Sequence, residues 1–200
     1  MFIDLTDDPK LNAYSYFVNS VTPRPIAWVS TVSEKGITNI APYSFFTVAS
    51  CLPAILSVTH INPRDKPAKD TLINLMATKE CVVNIVSQSF VEKMNASSAN
   101  FPTSVSEFSA LDIEPVASTL VKAPGALSAL VRYECELKDV ISFGDEPGSG
   151  KMLLLNVKGI FVNDEILKNN VIAPNQLATV GKMGGDYFST TKDLFSIKRP

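Results

Sequence analysis

Polar side chains suited to ligand binding occur in three short segments of the N-terminal half. Ser30 and Thr31 place adjacent hydroxyls at the end of a hydrophobic segment, and residues 39–46 alternate small and amide groups with aromatic ones. The third segment, Lys69–Thr71, opens a predicted helix, and Arg64 lies just upstream. A helix start with a hydroxyl and two cations favours a phosphate group. Taken alone, the first segment is more typical of a strand core, the second of a turn and the third of a helix cap.

Several sequence signatures of residue-based catalysis are missing. His60 is the single histidine of the chain, which excludes a metal site built from several imidazoles. The sequence has no GxSxG nucleophile turn, no GxxxxGKS or GxxxxGKT phosphate loop and no GxGxxG motif. Reaction chemistry is therefore expected from a cofactor that the protein orients. His60 is a candidate proton donor, but an isolated histidine at a strand end more often has a structural role.

Length, composition and charge are typical of a single globular domain that spans residues 1–200. Hydrophobic residues make up 46% and charged residues 19% of the chain, and 18 basic against 20 acidic residues give a net charge of −2. A chain of this length buries a core without disulfides or metals. The charge balance argues against nucleic-acid binding, which requires a concentrated basic face.

The sequence lacks the features of an exported or membrane-spanning protein. Its start, MFIDLTDDPK, has neither the basic nor the apolar region of a secretory signal. No segment approaches the ~20 apolar residues that a membrane-spanning helix requires. Cys51, Cys81 and Cys135 form no CxxC pair and are interpreted as small hydrophobic residues in a reducing compartment. We therefore expect a cytoplasmic protein without membrane association.

Hydrophobic patterns predict strands joined by turns, with few helices. Residues 26–32 form a predicted strand, a turn ends at Gly36, and residues 37–40 return as the second strand of a hairpin. Pro42 lacks the N–H that a central strand needs, so it limits this strand or places it at a sheet edge. Further strands are predicted at residues 54–59, 81–86, 129–141 and 152–162, and helices at residues 70–78 and 89–99.

The remaining patterns decide the fold class. The helix at residues 70–78 is predicted to present Leu72, Ile73 and Met76 as its apolar face. Residues 100–124 contain three prolines and are predicted as a long excursion, which in compact domains is often functional. Strands do not alternate with helices as a parallel sheet requires. The sequence therefore predicts a mainly β fold, an antiparallel barrel with peripheral helices.

The polar segments belong to a series of motifs that resembles the flavin reductase-like, FMN-binding family. The motifs follow one another in order over nearly the whole chain, and their order is specific. Lys182 stands where many members of that family carry arginine, and lysine keeps the charge but lacks the planar donor fork. The series is TPRPIAWVST (22–31), Gly36, NIAPYSFF (39–46), Arg64, KDT (69–71), Asn74, Asn84 and GKMGGDY (181–187).

This resemblance implies a six-stranded antiparallel split barrel that forms a homodimer, with FMN in a groove at the subunit interface. Lys182 and Tyr187 would approach the flavin from the C-terminal segment, within the subunit or across the dimer. The residues implied in holding the phosphate are Arg64, Lys69 and Thr71, with Asp70 of the same motif. Those implied in lining the ring and ribityl chain are Trp28, Val29, Ser30, Thr31, Asn39, Ala41, Pro42, Tyr43 and Ser44.

Three functions are compatible with the resemblance. The leading hypothesis is an oxidoreductase that passes hydride from NADH or NADPH to FMN and then delivers electrons to free flavin, oxygen or a protein acceptor. The second is an electron carrier that holds FMN without pyridine-nucleotide activity, since no nicotinamide-binding motif separates the two. The third is a split-barrel protein that has lost flavin and serves as an interaction or stress-response module. Retention of Asn39 and Lys69–Thr71 argues against the third.

Overall fold

Strands dominate the structure, which is a computed structural model that describes residues 1–7, 13–63 and 69–200. The helices within these ranges are α1 (Tyr14–Ser20), α2 (Asp70–Thr78), α3 (Val91–Ala96), α4 (Glu107–Ala110) and α5 (Pro174–Leu177), with 3-10 turns at Gln88–Phe90 and Asp164–Ile166. The strands are β1 (Ala27–Val32), β2 (Thr38–Tyr43), β3 (Phe46–Cys51), β4 (Ala54–Ile61), β5 (Glu80–Ile85), β6 (Pro115–Val116), β7 (Gly125–Ala126), β8 (Val131–Ser142), β9 (Gly150–Val162), β10 (Leu167–Lys168), β11 (Val171–Ile172), β12 (Val180–Lys182) and β13 (Phe188–Thr190).

Seven strands form one antiparallel sheet in the order β2-β1-β5-β8-β9-β4-β3. The predicted hairpin is present, with Ala27 opposite Tyr43 and Val32 opposite Thr38. Gly36 in its turn has a φ of +81°, a conformation that glycine adopts without steric cost. β2, which contains Pro42, is an edge strand, where a missing N–H is tolerated.

The two edge strands of this sheet are consecutive in the chain. Ser44 and Phe45 are the link between β2 and β3, and the Thr59 amide donates to the Phe45 carbonyl at 2.8 Å. The chain therefore changes partner within the link, from β1 to β4, and joins the two edges of the sheet into a barrel. The barrel has six extended segments, as expected, and seven strands because this bend divides one segment into β2 and β3.

The barrel interior is an apolar core that α2 helps to fill. Successive strand side chains face opposite sides of a sheet, so alternate residues of each strand enter this core. Leu72 and Leu75 of α2 are buried with them, whereas Ile73 and Met76 are 51% and 46% exposed. The predicted apolar face of α2 is therefore wrong. Four large apolar residues within nine allow two faces, and the helix instead buries Leu72 and Leu75 together with Thr71 and Asn74.

A second core covers the outer face of β1 and β2. Trp28 and Ile40 pack there with Met94 of α3 and Phe108 of α4. Ile113, Ala126, Ala129 and Val180 complete it. Residues 100–124, which were predicted as a long excursion, therefore contribute to the layer that packs on the outer face of β1 and buries it.

Several elements differ from the sequence-based expectations. α1, β3 and the β12–β13 hairpin were not predicted, and the helix expected at residues 89–99 is a 3-10 turn followed by α3. No helix in the described ranges is both long and apolar enough to span a bilayer.

Candidate functional site

Two adjoining cavities open beside the β2–β3 bend. The larger is a groove of about 1200 Å³ between α1, residues 42–45, residues 59–63 and residues 143–150. The smaller cavity, of about 240 Å³, is bounded in part by residues 97–101. Lys69, the N-cap residue of α2, lines both cavities. Within the described part of the chain, the site is therefore organised around Lys69, a cation at a helix start.

Apart from Arg64, the residues predicted to bind the cofactor fall in four places, which are the C-terminal hairpin, the groove, the smaller cavity and the interior of β1 and α2. Arg64 lies outside the described residues, and Lys182 and Tyr187 belong to the C-terminal hairpin region. Those lining the groove are Pro42, Tyr43, Ser44 and Lys69, joined by the candidate catalytic residue His60. Those lining the smaller cavity are Asn39, Ala41, Asp70 and again Lys69. Those buried in β1 or α2 are Trp28, Val29, Ser30, Thr31 and Thr71.

The side chains of β1 are divided between the two faces of the sheet. Trp28 is 1% exposed, and its Nε1 donates to Ser97 Oγ at 2.8 Å on the outer side. The Ser30 hydroxyl contacts the Pro124 carbonyl of the cover segment. Because adjacent strand residues face opposite sides, Ser30 and Thr31 do not form one polar group, and neither Trp28 nor Ser30 is among the residues that line the cavities.

A buried polar network lies beneath the junction of the cavities. The Thr71 hydroxyl donates to Asn39 Oδ1 at 2.8 Å, and Asn74 Nδ2 donates to Thr31 Oγ1 at 3.1 Å. Asn39 Nδ2 donates in turn to Glu107 Oε1 at 2.8 Å. The Thr71 hydroxyl is thus engaged within the protein. This hydrogen bond holds the Asn39 side chain in the wall of the smaller cavity.

Glu107 is a member of this network that sequence reasoning missed. Its carboxylate is 5% exposed and also accepts the Ile40 amide at 3.1 Å, which satisfies a backbone donor of the edge strand β2. Burial raises the pKa of Glu107 above its ordinary value, and the hydrogen bonds partly oppose this. One acidic residue at the start of a four-residue helix gives little local signal of such a role.

Arg24 ties two walls of the site to the C-terminal hairpin. Its guanidinium donates to Ser44 Oγ at 3.3 Å, to the Val18 carbonyl of α1 at 2.6 Å and to the Met183 carbonyl at 3.0 Å. The side chain is 6% exposed and lies 5.9 Å from the centroid of the Phe45 ring. Arg24 therefore sets the position of α1 and of the C-terminal hairpin relative to the bend. Its place in the motif TPRPIAWVST was the available sequence signal.

The C-terminal hairpin region is held close to Arg24. Lys182 pairs with Arg24 through backbone hydrogen bonds. Its Nζ donates to the carbonyls of Gly185 and Tyr187, so Lys182 stabilises the turn that carries Tyr187. The Tyr187 side chain is 77% exposed. Neither side chain is among those that line the two cavities of this chain.

The described residues that line the groove include one cation, Lys69, and one acidic residue, Glu146, together with neutral polar groups. Lys69 Nζ lies 4.9 Å from the centroid of the Tyr43 ring. Burial raises the pKa of Tyr43, and burial, followed by the charges of Lys69 and Lys151, lowers the pKa of His60 to about 4. His60 is therefore neutral at neutral pH. The site is suited to binding and orienting a ligand rather than to supplying protons.

Comparison with known proteins places the chain in a family. Residues 19–178 match the model of the flavin reductase like domain, and the chain belongs to this family. A protein of Aquifex aeolicus (strain VF5) is 39% identical over 177 residues, which cover 88% of each chain.

Two solved structures share the split-barrel fold over nearly their whole length. Nitrilotriacetate monooxygenase component B from Bacillus cereus has a TM-score of 0.90 and 27% identity, and the match covers 98% of each chain. The 2-nitrobenzoate 2-nitroreductase of Pseudomonas fluorescens has a TM-score of 0.88 and 25% identity, and the match covers 100% of this chain and 96% of that one.

The substitution Glu107→Gln is expected to change how stability depends on pH. Because the folded pKa of Glu107 is raised above its ordinary value of 4.5, the folded protein holds this proton more tightly than the unfolded chain does. The contribution of Glu107 to the free energy of unfolding is largest below the ordinary pKa and is lost as the pH rises through the folded pKa. The wild type should therefore lose stability relative to Glu107→Gln as the pH rises.

Urea unfolding of both proteins between pH 4 and pH 7 measures this difference. The exposed Glu114→Gln is the matched control and should leave the pH dependence unchanged. A wild type that gains stability relative to Glu107→Gln over this interval, or a constant difference, contradicts the assignment.

Proposed function

We propose that the protein binds FMN in the groove and acts as an oxidoreductase that accepts hydride from NADH or NADPH. The observation that carries the proposal is the position of Lys69, at the start of α2 and against the Tyr43 ring, where the two cavities meet. A cation at a helix N-terminus suits a phosphate. Membership of the flavin reductase-like family supports a flavin as the ligand that carries it.

The groove offers groups suited to both ends of FMN. Two acidic residues, Asp70 and Glu107, line the smaller cavity, against one, Glu146, in the much larger groove, so a phosphate is favoured on the groove side of Lys69. Beyond Lys69, the partly exposed Phe45 offers aromatic surface. Ser44 Oγ accepts from Arg24 and keeps its own O–H as a donor. A ring and a hydroxyl-bearing chain therefore find suitable surfaces next to the cation.

The volume of the groove leaves room for a second reactant. At about 1200 Å³ it exceeds the roughly 300–1,000 Å³ of pockets that hold one drug-sized ligand. When bound, the flavin would supply the hydride-accepting and electron-donating chemistry. The residues of the chain position the two reactants, because a close and oriented approach is the main contribution that a protein makes to such a transfer.

The same proposal includes a homodimer that shares the groove. Phe17 is 53% exposed, Phe143 is 63% exposed, and both line the groove. The neighbouring C-terminal turn exposes Tyr187. A second subunit that covers this rim would remove apolar surface from water. We further propose a cytoplasmic location and a small-molecule or protein electron acceptor, with no nucleic acid or membrane as partner.

Anaerobic mixing of the FMN-loaded protein with NADH or NADPH tests the reaction. We expect the visible flavin absorbance to bleach, because hydride reaches the bound ring. Protein that stays yellow with both nucleotides and bleaches only with dithionite would be an electron carrier and would contradict the reductase.

The substitution His60→Ala is the control for residue-based catalysis in the same measurement. Its reduction rate at saturating FMN should remain within about tenfold of wild type, less than the ~10²–10⁴ that a general acid or base contributes. A thousandfold loss with normal FMN affinity would make His60 a catalytic residue.

Assembly should respond to the ligand if the groove is shared. A ligand that binds the dimer more tightly than the monomer shifts the equilibrium toward the dimer. Analytical ultracentrifugation at low protein concentration should therefore show more dimer with FMN than without it. A stable monomer that binds FMN with full affinity rules out the shared groove.

A further inference from the structure

The loop between β8 and β9, residues 143–150, forms one wall of the groove and is held there by Asn62. The Asn62 N–H donates to the Ser149 carbonyl at 2.8 Å, and the Asn62 carbonyl accepts the Gly148 N–H at 2.9 Å. Asn62 Nδ2 donates to the Glu146 carbonyl at 3.4 Å, which also accepts the Ser149 N–H at 2.9 Å. The backbone that carries the Glu146 side chain is therefore fixed in the groove wall.

Glu146 brings a negative charge to a groove whose described cation already has a proposed role. That cation is Lys69, which the proposed function assigns to the FMN phosphate. His60, with a pKa of about 4, is uncharged at neutral pH. Lys151 Nζ lies 3.2 Å from the Asp145 carboxylate, and Lys151 is not among the residues that line the groove. Among the described groove-lining residues, the charge left to face a second reactant is therefore that of Glu146.

NADH and NADPH differ in a group that such a charge distinguishes. The ribose next to the adenine carries a 2′-hydroxyl in NADH and a 2′-phosphate in NADPH. A carboxylate accepts a hydrogen bond from a hydroxyl, whereas it repels a phosphate with its charge of about −2. Dinucleotide sites of the Rossmann fold make the same distinction with an acidic residue for the hydroxyl and an arginine for the phosphate. The chemistry of Glu146 therefore favours the nucleotide with the hydroxyl.

We propose that Glu146 is a specificity-determining residue that selects NADH over NADPH, and that Asn62 is the positioning residue that holds it in the groove wall. This inference rests on the proposed function, in which Lys69 binds the FMN phosphate and a pyridine nucleotide enters the rest of the groove. Arg64, which lies outside the described residues, is implied by the family resemblance in holding the same FMN phosphate. Selection then comes from a charge that disfavours the competitor as well as from a contact that favours the substrate.

Three variants and a control test the roles of the two residues. Glu146→Gln removes the charge at nearly constant size, and Glu146→Lys reverses it. Asn62→Ala removes the side-chain hydrogen bonds to the loop. Glu34→Lys is the control, because it makes the same charge reversal at an exposed residue of the β1–β2 turn that does not line the groove. The measurements are kcat and KM for each nucleotide, and the Kd of NAD⁺ and NADP⁺ for the FMN-loaded protein, which involves no reaction.

The expected effect is a change in the ratio of NADH to NADPH use. The wild type should prefer NADH at least about fivefold in kcat/KM, and Glu146→Gln should lower this preference about three- to tenfold through a lower KM for NADPH. Glu146→Lys should abolish or reverse the preference, and the Kd values should follow the same order. Asn62→Ala should lower the preference in the wild type but not in Glu146→Gln, because the side chain that it positions is then uncharged. Glu34→Lys should behave like the wild type.

Ionic strength gives a readout that a purely structural role would not change. Salt screens the interaction between exposed charges, with a Debye length that falls from about 30 Å at 0.01 M to about 3 Å at 1 M. The preference of the wild type for NADH should therefore decrease over this range of salt concentration, whereas the ratio for Glu146→Gln should change little.

Two results would overturn this inference alone. One is a wild type that uses both nucleotides equally or prefers NADPH. The other is a Glu146→Gln variant whose preference stays within about twofold of wild type in both kcat/KM and Kd. Failure of the proposed function is distinguishable, because the wild type would then bind no FMN or would be reduced by neither nucleotide, and the inference would fail with it.

Discussion

The two-residue link between β2 and β3 is the constraint on which the rest of the structure depends. Because Ser44 and Phe45 connect the two edges of the sheet, the β1–β2 hairpin must close against β4. Closure brings Tyr43 at the end of β2 to His60 near the end of β4, with ring centroids 6.3 Å apart. It also leaves the groove beside the bend, where the chain changes pairing partner. The proposed ligand site is therefore a consequence of how the barrel closes.

Charge and burial differ between the two cavities of this candidate site. Lys69 stands at the start of α2, whereas the carboxyl groups of Asp70 and Glu107 line the smaller cavity. The network below them is fully buried, so each polar atom in it must be paired for the fold to be stable. Arg24 secures the walls through carbonyls of α1 and of the C-terminal region. The same contacts that stabilise the fold thus hold the groove in shape for a ligand.

Features that depend on local sequence pattern or on a family motif were predicted from the sequence. Features that depend on contacts between distant segments were not. Hairpin β1–β2 follows from its β-branched and aromatic residues and from Gly36, and the barrel class follows from the strands and the resemblance. The prediction that Leu72, Ile73 and Met76 form the buried face of α2 was wrong. It assumed that Asn74 lies outside the core, whereas the hydrogen-bonded network buries Asn74. Glu107 was missed because its partners, Asn39 and Ile40, are more than 60 residues away in sequence.

Fluorescence titration of wild type and Lys69→Met with FMN and with riboflavin tests the central claim most directly, that Lys69 receives the phosphate of a flavin. Charge-assisted hydrogen bonds contribute ~1.5–3 kcal/mol, so Lys69→Met should bind FMN about tenfold more weakly or worse. Riboflavin, which lacks the phosphate, should bind both proteins equally, and Lys35→Met in the β1–β2 turn should bind both ligands like wild type. Equal losses for FMN and riboflavin in Lys69→Met, or no loss for FMN, would contradict this account.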